Sequence, residues 1–220
     1  ERDSGTVAWR TCRPPMASKR WWFATRVVIE VQGVRQLVLP AGQMVCSYDP
    51  ATGQERWRVR YPNKWSIVPR PVFSHGLVFV CTGYDGPAEL LAIRPTGSGD
   101  VTDSHLAWRA GSHIPHTPSP LVVGNEIFLV SDNGIASCRD VETGELLWRE
   151  RMPGNYSASP VHVAGCIYLA SERGVCTAIA ASREYRQLGT TDLGEPILAS
   201  LAVADGAIFV RTESSLYRIE

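Results

Sequence analysis

Apolar and polar residues alternate along this chain in short runs, and the runs recur. "RPVFSHGLVFV" from Arg70, "SPLVVGNEIFLVS" from Ser119, "SPVHVAGCIYLAS" from Ser159 and "SLAVADGAIFVRT" from Ser200 each alternate apolar positions, turn near Gly or Asn, and reach an aromatic residue eight positions after the Pro position. That pattern predicts two period-2 strands around a tight turn. Pro71, Pro120, Pro160 and Leu201 stand 49, 40 and 41 residues apart, and "TRVVIEVQGVRQLVLP" is an earlier, blurred copy in the same phase.

A second string follows the first. "SYDPATGQERWRV" and "SCRDVETGELLWRE" place Asp49, Thr52, Gly53 and Trp57 over Asp140, Thr143, Gly144 and Trp148. Weaker copies surround Trp9, with Glu1 in the Asp position, and "AIAASREYRQL", where Ala180, Glu184 and Leu188 stand for Asp, Gly and Trp. The copy ending at Trp108 carries an insertion after Gly97, which accounts for the long interval.

Assembled, one unit is strand A (Ser-Pro-x-Val), strand B, a turn such as "SDNG" or "SERG", strand C, the Thr-Gly turn and strand D. Four short strands every forty-odd residues predict an all-β fold, a β-propeller of four-stranded antiparallel blades, because so small a sheet must stack on its neighbours to bury its faces. Residues 1–12 read as strand D of a preceding or closing blade, 20–60, 66–111, 115–151 and 155–190 as blades, and 196–220 as a final partial blade. Glu1 and Glu220 share one phase of the repeat. Either residues 1–12 complete the last blade and close a five-bladed ring, or the chain is part of a larger ring.

The turn residues have a mechanical role. Asp caps the amides of its own turn, Thr does so more weakly, and Gly supplies positive φ. Trp adds a large apolar surface to the wedge between blades, provided its indole N–H finds an acceptor. Trp9, Asp49, Gly53, Trp57, Trp108, Asp140, Gly144 and Trp148 are therefore read as blade-docking residues.

With Ser47 or Cys138 in its leading small-residue position, this pattern resembles the tryptophan-docking motif of the PQQ-like (quinoprotein alcohol dehydrogenase-like) β-propeller superfamily. "LLAIRPTGSGDVTDSHLAWR", "SPLVVGNEIFLVSDNGIASC" and "ADGAIFVRTESSLYRIE" are similar to a group of bacterial PQQ-binding-like repeat proteins, and the superfamily also holds BamB, a non-enzymatic lipoprotein of outer-membrane assembly. The resemblance implies a seven- or eight-bladed ring, hence that the chain is part of a longer propeller, and a periplasmic or extracellular location. It is nearly silent about activity, because fold does not imply function.

Composition narrows the function classes. Equal counts of 22 basic and 22 acidic residues leave zero formal charge, so bulk electrostatics points to no nucleic-acid or anionic-membrane partner. No apolar stretch reaches the length of a membrane span. The six cysteines form no C-x-x-C and no adjacent pair, and Cys46, Cys81, Cys138, Cys166 and Cys176 fall on strands as small hydrophobes. Asp100, Asp103 and His105 could ligate an ion, but their segment lacks the spacing of a Ca²⁺ loop and reads as a solvated turn. No esterase elbow, zincin helix or phosphate loop occurs.

The expectation is therefore a non-catalytic binding or scaffold module for a protein, peptide or small polar ligand, with no catalytic, metal or cofactor residues assigned and no PQQ or Ca²⁺ bound. The alternative is part of a periplasmic PQQ-dependent oxidoreductase. Propeller geometry brings D–A connections and B–C turns to one rim, so the candidate partner surface comprises Arg70, Ser119, Ser159 and Ser200, the loop residues Trp65, His116 and Tyr156, and the turn residues Tyr84, Asp85, Asp132, Asn133, Glu172 and Arg173. The competing reading of the serines is that they cap strand ends.

Overall fold

The computed structural model describes residues 4–12, 23–61, 64–65, 67–84 and 86–220; Glu1 and Asp85 lie outside them. Antiparallel strands dominate. The first sheet holds β1 (Val27–Val31), β2 (Val34–Ala41), β3 (Met44–Tyr48) and β4 (Glu55–Arg60). The second is built from β5 (Val72–Ser74), β6 (Leu77–Cys81), β7 (Leu90–Ile93) and β9 (Leu106–Ala110), while β8 (Gly99–Asp100) leaves it to join the first. The third runs β10 (Leu121–Val123), β11 (Glu126–Val130), β12 (Ile135–Asp140) and β13 (Leu146–Arg151). The fourth runs β14 (Val161–Val163), β15 (Cys166–Ala170), β16 (Val175–Ala180) and β17 (Gln187–Asp192), and the last β18 (Ala202–Ala204), β19 (Ala207–Arg211) and β20 (Leu216–Ile219). These sheets are the blades of a β-propeller, each meandering from strand A to its outer strand.

The core lies between sheets rather than within one. Val38, Val45 and Trp57 of the first blade pack on Val78, Val80 and Leu91 of the second. Phe79 and Ala92 then meet Ile127 and Leu129 of the third, whose Phe128 and Cys138 meet Ile167 and Leu169 of the fourth, and Ala170 meets Ile208 and Val210 of the last. A sheet of this size cannot cover its own faces, so stacking supplies the burial that stabilises it.

Turn chemistry sets the docking surface. Asp140 Oδ1 accepts the N–H groups of Glu142 and Thr143 at 3.0 and 3.1 Å, and Asp49 Oδ1 does the same for Ala51 and Thr52 at 2.8 and 3.1 Å. Gly144 has φ +73°, and a Cβ there would stand 2.5 Å from a carbon of the Trp108 ring. Gly53 stands in the same relation to Trp9. The Thr-Gly turn of one blade is thus the seat for the tryptophan of the blade before it. Each indole N–H reaches a carbonyl in that seat: Trp9 to Pro50 at 3.0 Å, Trp108 to Val141 at 3.0 Å and Trp148 to Ser182 at 3.1 Å.

Trp57 differs. Its N–H donates to Gln36 Oε1 at 2.7 Å, and Gln36 Nε2 donates to Pro95 O at 2.9 Å, so a buried amide relays the bond to the next blade. The insertion explains the change. His105, not a tryptophan, lies over Gly97, and β8 pairs in parallel with β4, Trp57 opposite Gly99 and Arg58 opposite Asp100. Residues 99–105, expected as a solvated turn, clasp the first blade from the second. Arg60 donates to Asp100 Oδ2 at 2.6 Å, and Val101 N–H to Arg58 O at 2.9 Å.

The register corrects one assignment. Trp57, Trp108 and Trp148 stand opposite Ser47, Ala92 and Cys138, small residues that leave room for the indole. Opposite Ala178 in the fourth blade stands Gly189, not Leu188, which is exposed. The physical reason is turn length. Asp140 N–H bonds Glu145 O, whereas Ala180 N–H bonds Arg186 O, one residue further along.

Cys46, Cys81 and Cys138 are buried, Cys166 and Cys176 half-buried and Cys12 exposed, all as free thiols.

Candidate binding rim

The leading positions of the A strands form a hydrogen-bonded ladder. Arg70 N–H donates to Ser119 Oγ, Ser119 N–H to Ser159 Oγ, and Ser159 N–H to Ser200 Oγ, each at 3.0 Å. A short hydroxyl at this point satisfies the unpaired amide of the preceding blade. These serines therefore join blades, each oxygen accepting an amide N–H of the preceding one.

The acids of the B–C turns have a similar use. Asp132 Oδ2 accepts the N–H of His116 at 2.7 Å, Asp132 O accepts the N–H of Tyr156 at 2.9 Å, and Glu172 accepts the hydroxyl of Ser157 at 2.5 Å. One blade further on, Glu195 lies in the loop and accepts from Thr212 and Ser214 of the turn. These donors hold its carboxyl below the usual range, Thr212 foremost. Within each turn, Ser131 Oγ and Ser171 Oγ accept the N–H groups of Ile135 and Val175 at 2.9 and 3.1 Å.

Tyr156, expected as a ligand-facing loop aromatic, is fully buried against Phe128, Met152 and Ile167, with its hydroxyl donating to Pro153 O at 3.3 Å. Burial pushes that phenol up to about 12. The connection folds inward because its backbone is held to the Asp132 turn, which turns the ring into the wedge between blades.

Three other aromatic side chains assemble on the rim. Trp65 pairs with Tyr84 through an antiparallel bridge, their ring centroids 6.1 Å apart. Tyr84, 40% exposed, stacks on His116 at 4.5 Å with the planes 18° apart. His116 Nδ1 is shielded from solvent and has no hydrogen-bond partner among the described residues. Beside this row a recess of about 330 Å³ is lined by Pro87, Ala88, Gly111, His113, Ile114, His116, Ser131, Asp132 and Asn133.

Residues missed in the sequence border the same recess. Arg149 donates to His113 Nε2 at 3.1 Å, and Arg151 donates to Asn133 O. Burial first, then Arg149, Arg139 and Arg151, push the His113 pKa down, which favours the neutral imidazole able to accept from Arg149. The repeated Trp-Arg-x-Arg of "WRVR" and "WRER" was the available signal. Arg173 is exposed on the neighbouring turn.

Over residues 1–219 the chain matches the family described as outer membrane protein assembly factor BamB. It is similar in structure to BamB from Moraxella catarrhalis, with TM-score 0.64 and 18% identity over 87% of this chain and 57% of that one. It is also similar to the quinohemoprotein alcohol dehydrogenase ADHIIG from Pseudomonas putida HK5, with TM-score 0.65 and 16% identity over 93% of this chain and 41% of that one. The chain thus spans little more than half of the first relative and less than half of the second. No curated protein sequence matches it. At these identities the two structures speak to fold alone.

Proposed function

Because the chain belongs to the family described as outer membrane protein assembly factor BamB, we propose that it is a non-catalytic propeller that binds a protein or peptide partner on the D–A rim during assembly in the cell envelope, at a periplasmic location. The observation that carries this reading is the Trp65, Tyr84 and His116 row, whose exposed central ring lies beside a recess bordered by Arg149 and Arg151. Aromatic rings and arginine are enriched in binding patches, the rings because they bring large contact area at small entropic cost and arginine because its planar fork donates several hydrogen bonds. Among the described residues no helix is long and apolar enough to cross a membrane.

The reading includes no bound quinone. A Ca²⁺-held quinone calls for carboxylate and amide oxygens that converge with lone pairs to spare. Here the ladder serines accept backbone N–H groups, and Asp132 and Glu172 are taken by neighbouring loops. Among the described residues no three His, Cys, Asp or Glu side chains gather. These engagements support a reading without a quinone.

A photo-crosslinking residue placed at Tyr84 in cells should capture an envelope protein, while the same residue at Glu142, on the opposite rim, should not. Capture from Glu142 alone would refute the rim assignment, and saturable binding of PQQ with Ca²⁺ by the purified protein would favour the oxidoreductase reading instead.

A further inference from the structure

The repeat supplies its own comparison for the wedge between the fourth and last blades. In the three preceding wedges a tryptophan of the outer strand fills the space opposite a small residue: Trp57 over Ser47, Trp108 over Ala92, Trp148 over Cys138. The B strands of the second and third blades add a second ring against it. Phe79 lies 5.8 Å from Trp108 and Phe128 lies 6.1 Å from Trp148, centroid to centroid.

In the fourth blade the B-strand aromatic and the small residue are both retained, as Tyr168 paired with Ala178, but Gly189 occupies the tryptophan register. Beside it lies a cavity of about 570 Å³ lined chiefly by apolar side chains, among them Tyr168, Cys176, Leu201 and Ile208, together with Ile219 and Glu220. A Cβ built on Gly189 meets nothing within 4 Å, and its φ is not in the left-handed region. Backbone conformation therefore does not require glycine here.

We infer that this wedge is a binding site for a small, neutral, planar aromatic molecule of indole size, seated where the other blades place their own tryptophan. Tyr168 supplies the tilted ring contact that Phe79 and Phe128 make with Trp108 and Trp148, and Ala178 supplies the small floor. The volume falls within the range of roughly 300–1,000 Å³ typical of small-molecule pockets. Neutral ligands are favoured because the one charged side chain of the lining, Glu220, is already paired with Arg218, so a ligand charge would be left unpaired, which is costly on burial. This site is separate from the rim, being formed by the facing surfaces of two blades.

Indole and 5-fluoroindole are the probes. Ligand-observed fluorine spectroscopy on the wild-type protein should show saturable one-to-one binding at sub-millimolar concentration. Gly189→Trp should raise Tm and abolish that binding by supplying the missing ring. Gly189→Leu, a smaller filling that does not depend on seating an indole, should weaken binding at least tenfold with the fold retained. Absence of saturable binding to the wild-type protein would overturn the inference, as would undiminished binding to both variants. So would finding that the wedge closes by pairing with a second copy, seen as a dimer that both variants dissolve and indole does not disturb.

Discussion

Replacing Gln36 by leucine removes the amide that carries the Trp57 bond to the next blade. Gln36 is 5% exposed, Trp57 is fully buried, and three hydrogen bonds converge on the amide: from Trp57 Nε1 at 2.7 Å, from Ser47 Oγ at 2.9 Å and to Pro95 O at 2.9 Å. Leucine fills nearly the same volume, so the packing change is small and the cost is that of orphaned polar groups. The indole N–H has no alternative and loses about 2 kcal/mol, whereas the rotatable serine and the proline carbonyl lose about 0.5 kcal/mol each, for a total of about 3 kcal/mol. Urea unfolding followed by circular dichroism should show the midpoint fall with m unchanged. Trp57→Phe deletes the orphan beforehand, so in that background Gln36→Leu should cost only about 1 kcal/mol, a coupling of about 2 kcal/mol. A coupling below about 0.5 kcal/mol would refute the relay, since contacting residues in one network normally exceed it.

Gly174→Ala should be far more damaging than Gly165→Ala. Both have positive φ, +92° and +80°, but an added Cβ stands 2.2 Å from the Glu195 carbonyl at the first and meets open space at the second. Thermal unfolding should show about 1–2 kcal/mol lost for Gly165→Ala, the cost of the left-handed backbone alone, and a clearly larger loss for Gly174→Ala; equal losses would contradict the packing. Acid should loosen the clasp between the first two blades. Thr102 and Arg60 hold the Asp100 carboxyl at about 2, below its ordinary 3.8. Because the folded-state value is depressed, the contribution is complete above the unfolded value and is lost as pH falls toward 2. Tm should therefore fall less steeply below pH 3.8 in Asp100→Asn than in wild type, and identical slopes would show that the contact contributes nothing.

What the sequence determined alone was the repeat: strand pairs around Gly-containing turns, the Asp-Thr-Gly cap, and through these the propeller. Period-2 alternation and an Asp capping amides two and three residues on are local effects, legible in any window that contains them. Only tertiary structure decided which partners meet across forty residues. That Trp108 seats on Gly144 rather than on its own turn, that each ladder serine serves the previous blade, and that residues 99–105 lend a strand to the first blade depend on stacking, which leaves no local mark. Tyr156 shows the limit plainly. A loop position suggested exposure, but backbone bonds to the Asp132 turn carry the ring into the core. Gly189 shows it again. Counting from Ala180 lands on Leu188, yet one extra turn residue shifts the register. In a strand, a slip of one residue exchanges the two faces, so which residue faces that wedge was settled only by the pairing itself.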